Sequence, residues 1–245
     1  MARYQIKISY DGTGFTGSQR QLNSRTVQME LEKALSKINW TGRSVLLAGR
    51  TDTGVHASGQ VAAFDLDWRH TLEDLTNALN AALPRDIAVD QLEIAADDFH
   101  PRFDATSRRY LYRLFCQKTR DPLRERFAWR VWPEVADLRP LAEVWLGEHD
   151  FSAFGSPPRP GNSTSRTVLA SSWKKVDNEW QFEIKANAFL YHMVRKIVHA
   201  QVLVGQGRII KKDLIQALEK QTGLPSGLAP AHGLTLLEVS YDVMK

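Results

Sequence analysis

Residues 44–66 read SVLLAGRTDTGVHASGQVAAFDL, two apolar runs that flank a short polar segment. Apolar runs of this length, bounded by turn-forming residues, are typical of buried strands. The pattern therefore predicts strands at 44–49 and 59–66, joined by a polar loop at 50–56. A loop carried on a sheet is a good place for reactive side chains, because the strands hold it in position.

The helices on either side of these strands have clear start signals. Thr26 precedes apolar residues at helical spacing, which predicts an N-cap. Thr71 is followed three residues later by Asp74, a pattern typical of a capping box, and the helix is predicted to run over 72–83. With further strands predicted at 4–10 and 87–95, the first half reads β-α-β-β-α-β.

The second half resembles a variant of the same pattern. Asp177-Asn178 separates two runs of strand-forming residues and predicts a hairpin turn. Residues 155–165 are rich in proline and glycine and predict a mobile loop. The predicted strands are 106–116, 166–176, 180–187 and 234–243, and the predicted helices are 138–146, 189–204 and 212–220. We therefore predict an α+β fold of two β-α-β-β-α-β-like halves, residues 1–103 and 104–245, forming one largely antiparallel sheet with helices on one face.

Composition excludes several classes of protein. The chain has 245 residues and one cysteine, Cys116, which predicts neither an intramolecular disulfide nor a cysteine-based zinc site. We expect a cytoplasmic protein without membrane spans, since no apolar stretch reaches the length that a membrane helix needs. His192 and His199 are spaced too widely for a helical metal site, and no phosphate-binding glycine loop is present, so we expect neither metal nor cofactor.

The segment between Arg102 and Arg130 combines many basic residues with aromatic ones, in a chain of net charge +4. Such interleaving suits contact with RNA phosphates together with base stacking. The alternative is a strand with one solvated basic face. The candidates for substrate contact here are Arg102, Arg108, Arg109 and Tyr110.

The polar loop carries the residues best suited to chemistry. Asp52 is a candidate nucleophile or base, and Arg50 and His56 are candidates for contact with a phosphate or base. One alternative is a plain turn, since Asp, Thr and Gly all favour turns. Asp52-Thr53-Gly54 also matches the aspartic-protease triplet, but that chemistry needs two aspartates and no second triplet is present.

Arg195 lies in an apolar helical stretch beside Met193, Val194 and Ile197. A guanidinium in such a stripe needs a partner or a route to water, which favours a paired functional site. Tyr110 is compatible both with an active-site role and with an ordinary position in a sheet.

Several motifs resemble TruA-type tRNA pseudouridine synthases, and they follow the family order over nearly the whole chain. The opening strand and turn, ISYDGTGF, and the loop GRTDTGVHA are both similar to family signatures. The same holds for a mid-chain motif, a long-strand motif, a helix motif and a closing loop: FHPRFDA, RYLYR, NAFLYHMVR and APAHGL. One departure concerns the segment Gly17-Ser18-Gln19. The family usually has tryptophan between this glycine and this glutamine, where the present chain has Ser18.

The resemblance implies the pseudouridine synthase fold and specific roles. Asp52 would be the catalytic aspartate, Tyr110 the residue that stacks on the target base, Arg195 the basic partner of the aspartate and Arg50 a group that helps to flip the uridine. It also implies a homodimer that binds the anticodon arm of tRNA and modifies uridines 38, 39 and 40, with attack at either the ribose C1′ or the uracil C6. The alternatives are a non-catalytic tRNA-binding protein and a synthase acting at another RNA site.

Overall fold

The computed structural model describes residues 1–157, 159–220 and 223–242, and the chain divides into two compact units. The first unit contains Met1–Thr106 together with Thr235–Lys245, and the second contains Ser107–Leu234. The division after Thr106 lies close to the predicted boundary. The closing strand, however, belongs to the first unit and not to the C-terminal half in which the sequence placed it.

The chain contains both strands and helices, and most strand pairs are antiparallel, which confirms the predicted α+β class. The strands are β1 (Ala2–Tyr10), β2 (Leu46–Leu47), β3 (His56–Leu66), β4 (Ile87–Ile94), β5 (Ala105–Cys116), β6 (Trp129–Val131), β7 (Gly147–Asp150), β8 (Ser165–Val176), β9 (Glu179–Ala186) and β10 (Leu234–Tyr241). The α-helices are α1 (Val27–Ser36), α2 (Leu72–Ala82), α3 (Met193–Gly205) and α4 (Lys211–Lys220). Short 3-10 helices cover Gly12–Gly14, Arg139–Trp145 and Ala231–Gly233.

In the first unit, β1 lies between β3 and β4 and pairs with both in antiparallel fashion. Ile6 and Ile8 on β1 are completely buried, as expected for alternate residues that face a core. The closing strand β10 pairs in parallel with the start of β3, with Thr235 opposite His56. This pairing explains why the last strand belongs to the first unit despite its distance along the chain.

Both predicted helix starts of the first unit are confirmed. Thr26 accepts a hydrogen bond from the Met29 amide, and α1 begins at the next residue. Thr71 and Asp74 form the predicted reciprocal capping box at the start of α2. These caps satisfy backbone donors that the first turn of a helix leaves without partners.

The strand predicted at 44–49 is shorter in the structure, where only Leu46 and Leu47 pair with β3. The Ala48 amide also donates to the Val61 carbonyl of β3, at 2.9 Å. Bonded residues alternate along an antiparallel ladder, so the Val45 amide faces away from β3, and it donates to the Glu32 carboxylate on α1 at 3.1 Å.

In the second unit, β9 lies between β5 and β8, β7 extends the sheet beyond β8, and β6 runs parallel to β5. The predicted turn at Asp177-Asn178 joins β8 to β9, and Asp177 has a positive φ of 51°. Helix α3 contacts this sheet. The buried Trp173 indole on β8 donates to the side chain of Gln201 on α3 at 2.8 Å.

Two helix predictions for the second unit need correction. The segment predicted as a helix over 138–146 forms a 3-10 helix at Arg139–Trp145. The Leu141 amide donates to the carbonyl of Leu138, the residue before this helix. The helix predicted from residue 189 begins only at Met193, because Tyr191 pairs with Ser156 and His192 has a positive φ of 66°. Both differences arise from contacts or turn geometry that apolar periodicity does not encode.

The predicted loop at 155–165 starts with that Ser156–Tyr191 bridge, and Pro158 within it lies outside the described residues. The closing strand ends at Tyr241, and Val243, the predicted end, also lies outside them. Among the residues that the structure describes, no helix has the length and apolar character needed to cross a membrane.

Candidate active site

The segment between β2 and β3 that carries Asp52 forms a tight turn, and residues 50–55 are termed the Asp52 loop. The Val55 amide donates to the Asp52 carbonyl at 3.1 Å, and Gly54 has a φ of 78°, which suits glycine. The Gly54 amide donates to the Phe15 carbonyl at 3.3 Å. The turn that the composition of this segment favours is therefore present, and it holds the partly buried Asp52 in a defined position.

The residue before Asp52 is held by its backbone and by its side chain. Thr51 is buried, and its hydroxyl lies 2.8 Å from the Tyr10 hydroxyl. Its amide donates to the Ser18 hydroxyl at 2.8 Å, and its carbonyl accepts from the Ser18 amide at 3.1 Å. The peptide group that leads into Asp52 is thus anchored on one side.

Tyr10 supplies the side-chain anchor from the end of β1. Burial raises the pKa of Tyr10 to about 12, although its hydrogen bonds with Thr51 and Gln60 act in the opposite direction. The phenol therefore stays protonated at neutral pH and remains available as a hydrogen-bond partner for Thr51.

His56 directly follows the Asp52 loop and begins β3, and its side chain is almost completely buried. Its Nδ1 accepts the Gly12 amide at 3.0 Å and lies 3.2 Å from the Asp11 carboxylate. These contacts connect the loop to the turn after β1. Contact of His56 with RNA stays a prediction.

Two predicted RNA-contact residues of the first unit are exposed. Arg50 directly precedes Thr51 in the Asp52 loop and faces solvent. Arg102 is also exposed, and its guanidinium lies 5.9 Å from the centre of the neighbouring Phe103 ring. Phe103 is itself 75% exposed, so an aromatic surface and a cation are presented side by side.

The second unit carries Tyr110 on β5, opposite Ile184 of β9. The ring is largely buried and meets Phe189 edge to face, with 5.1 Å between ring centres. Edge-to-face packing fixes the plane of the Tyr110 ring, which is the property that a stacking residue needs.

Arg195 is held by the closing loop of the second unit. Its Nε donates to the Ala229 carbonyl at 2.7 Å, and the Ala229 amide donates back to the Arg195 carbonyl at 3.3 Å. The next carbonyl, that of Pro230, accepts from the buried Tyr112 hydroxyl at 2.8 Å. The predicted need of Arg195 for a partner is met at least in part by this loop.

Tyr112 supports the candidate site through its bond to the closing loop, although the sequence analysis assigned it no role. Burial raises the pKa of Tyr112 well above its ordinary value, while the nearby Arg195 charge lowers it. The signal in the sequence is the i, i+2 spacing of the two tyrosines, which places both rings on one face of β5.

The basic segment between Arg102 and Arg130 is largely paired within the second unit. Its Arg108 donates to the Asn187 carbonyl at 3.0 Å, and Arg109 lies 3.4 Å from Glu183. Five of its arginines lie within 4.0 Å of a glutamate: Arg109, Arg113, Arg120, Arg124 and Arg130. This pairing offsets part of the charge of the segment. Arg109 and Arg113 lie on β5 and Arg130 on β6, whereas Arg120 and Arg124 lie between these strands.

Comparison with known proteins now identifies the class of enzyme. A family model described as tRNA pseudouridine synthase matches residues 6–104 and 141–242. The chain belongs to the tRNA pseudouridine synthase family, a family of isomerases, and the resemblance drawn from its motifs is confirmed.

Individual relatives match over nearly the whole chain. The tRNA pseudouridine synthase A of Chloroflexus aurantiacus is 41% identical over 251 residues, covering 98% of this chain and 89% of the relative. The tRNA pseudouridine synthase A 1 of Bacillus cereus is 38% identical over 247 residues, covering 99% and 100%. A solved archaeal box H/ACA sRNP Nop10–Cbf5 complex aligns with a TM-score of 0.41 and 11% identity, over 83% of this chain and 43% of that one, a likeness too weak to carry an argument.

Proposed function

We propose that this protein converts uridines 38, 39 and 40 in the anticodon arm of tRNA to pseudouridine, with Asp52 as the nucleophile. The observation that carries the proposal is the anchored Asp52 loop in a chain of this family. Thr51 is fixed by Tyr10 and Ser18, so the adjacent carboxylate is presented from a rigid support. A preorganised reactive group of this kind avoids an entropic cost at the moment of reaction.

The reaction is an isomerisation, so the atoms of the uridine are conserved apart from one exchanged proton. Asp52 attacks either the ribose C1′ or the uracil C6, and the bond between N1 and C1′ breaks. The base turns, C5 bonds to C1′, and the bond to the Asp52 carboxylate breaks, which releases the enzyme. The proton on C5 is lost while N1 gains one. The carboxylate must be ionised to act as the nucleophile.

The target uridine lies in a base-paired or stacked arm and must leave the stack before it reacts. Extruding a base costs a few kcal/mol, which stacking and charge contacts with the protein offset. The exposed Arg50 is suited to enter the space that the base leaves, and the Tyr110 ring, held by Phe189, is suited to stack on the flipped base. Arg195 is proposed to balance the charge of the reacting carboxylate.

The substrate and setting follow from the family. Relatives similar over nearly the whole chain are named for tRNA, and a tRNA substrate is consistent with action in the cytoplasm. The homodimer is proposed on the family resemblance.

Asp52→Asn is the direct test of the nucleophile, because the amide is similar in shape and cannot attack. The assay is tritium release from tRNA labelled at uracil C5, with tRNA affinity measured in parallel. We expect release to be abolished and binding to be retained. Asp67→Asn, at an exposed position of the same unit, is the matched control and should react normally.

Turnover by the Asp52→Asn protein would reject Asp52 as nucleophile. Absence of tritium release by the unaltered protein would instead favour the non-catalytic tRNA-binding alternative. Pseudouridine mapping in RNA from cells that lack the protein decides the target, and an intact signal at positions 38 to 40 would assign the activity to another RNA site.

A further inference from the structure

Ser18, which stands between Gly17 and Gln19 ahead of α1, is completely buried. Each of its polar groups has a partner. Its amide donates to the Thr51 carbonyl at 3.1 Å, its hydroxyl accepts from the Thr51 amide at 2.8 Å, and its carbonyl accepts from the Gln28 amide at 2.9 Å. This one residue, through its backbone and its side chain, therefore connects the start of α1 with the Asp52 loop.

The two bonds to Thr51 constrain the backbone on both sides of its α-carbon. The Thr51 carbonyl belongs to the same peptide plane as the Asp52 amide, since a peptide unit is planar. Its orientation is set by the Ser18 amide, and the preceding peptide plane is set by the Ser18 hydroxyl. Rotation of either plane would move the Asp52 α-carbon and change the direction of its carboxylate.

The segment that carries Ser18 is itself fixed. Gly17 has a φ of 87°, and a side chain there would place its Cβ 2.8 Å from the Thr51 carbonyl oxygen. The Gly17 carbonyl accepts from the Val27 amide at 3.4 Å, beside the bond between Ser18 and Gln28. These bonds satisfy donors in the first turn of α1, so the helix provides a stable base for Ser18.

We infer that Ser18 is a positioning residue for Asp52 that acts through Thr51, an inference that rests on the proposed function of Asp52. The hydroxyl is the essential group. A side chain without an acceptor atom could not bind the Thr51 amide. The serine hydroxyl is thus a polar anchor of the catalytic loop.

The test is the single-turnover rate of the full-length protein on a tRNA transcript at saturating enzyme, with tRNA affinity measured separately. Ser18→Ala removes the acceptor of the Thr51 amide without adding volume. We expect the rate to fall roughly 10- to 100-fold, because misplacement of a reacting group by about 1 Å can have an effect of this size. tRNA affinity should change by no more than about twofold, since the loss is confined to the reaction step.

Two controls separate positioning from general destabilisation. Ser36→Ala removes a serine hydroxyl that donates to the Glu32 carbonyl in α1, away from the Asp52 loop. Leu79→Ala removes buried apolar volume from α2 and should lower the unfolding temperature at least as much as Ser18→Ala. Both control proteins should react at the normal rate at a temperature where they are folded.

Ser18→Cys provides a second variant if the alanine protein does not fold, since a thiol is similar in shape and a weaker acceptor. The single-turnover rate of Ser18→Cys should also fall, by a smaller factor than that of Ser18→Ala. A folded Ser18→Ala or Ser18→Cys protein with the normal rate, while Asp52→Asn is inactive, would overturn the inference and leave the proposed function intact. Activity in Asp52→Asn would instead reject the proposed function itself.

Discussion

Tyr10→Phe tests how firmly the Asp52 loop is held, because it deletes one hydroxyl and preserves the ring. The Tyr10 hydroxyl lies 2.8 Å from that of Thr51 in a buried setting. Loss of a buried hydrogen bond of this kind costs about 1 kcal/mol. We therefore expect the free energy of unfolding of the variant to be lower by about 1 kcal/mol at neutral pH.

The ionisation of Tyr10 adds a dependence on pH with a defined sign. Burial raises its pKa from 10.0 to about 12, so the folded protein favours the neutral phenol. The contribution of the neutral phenol to the free energy of unfolding is fully present below pH 10, and it is lost as the pH rises through the window from 10 to 12. Two pKa units correspond to about 3 kcal/mol of stability.

The Tyr10→Phe protein lacks the phenol hydroxyl, so the order of stability of the two proteins should reverse as the pH rises. The unaltered protein is expected to be more stable by about 1 kcal/mol at pH 7, and the Tyr10→Phe protein more stable by about 2 kcal/mol once the phenol would be ionised. Urea unfolding across the alkaline range measures the difference. A tyrosinate absorbance titration of both proteins gives the pKa of Tyr10 directly. Parallel stability curves, or a Tyr10 titration step at the ordinary value near pH 10, would refute the reasoning.

Two further substitutions test helix capping and the closing loop. Thr71→Ala removes the side chain that caps α2 and should cost about 1 kcal/mol of stability. Calorimetry should show a fall of roughly 2–4 °C in the unfolding midpoint with an unchanged reaction rate, and a rate loss would contradict a purely local role. Tyr112→Phe leaves the Pro230 carbonyl without its 2.8 Å donor and should cost roughly 1–3 kcal/mol. Because Arg195 binds the adjacent carbonyl, the single-turnover rate should also fall, and a normal rate would show that Arg195 does not depend on this bond.

The elements that could be predicted from the sequence are those with local signals. Thr26 and Thr71 lie next to the helices that they cap, and the alternation of buried residues on β1 and β5 is visible within each strand. The hairpin at Asp177 follows from its own turn chemistry. In each case the residues that decide the structure are neighbours along the chain.

The elements that were missed depend on distant partners. Helix α3 starts late because Tyr191 pairs with Ser156, thirty-odd positions earlier in the chain, and β10 joins the first unit because Thr235 lies opposite His56. Apolar periodicity contains no record of such pairings. A boundary drawn at a single point along the chain cannot represent a strand that returns to the first unit.

The candidate site shows the same division between local and distant signals. Asp52 could be singled out because its loop has a distinctive composition, whereas the role of His56 depends on the Gly12 amide and that of Arg109 on Glu183. From residue type alone, a histidine beside the Asp52 loop or an arginine in a basic segment suggests contact with a phosphate. The structure shows that Gly12 and Glu183 are bound to these side chains.

Ser18 illustrates why the support of a reactive residue is harder to infer than the residue itself. The proposed chemistry restricts position 52 to a group that can attack, but the Thr51 amide requires only an acceptor at the right distance. A serine hydroxyl 33 positions earlier meets that requirement at 2.8 Å. The contact made by Ser18 therefore concerns how the proposed nucleophile is held, and not the chemistry proposed for it.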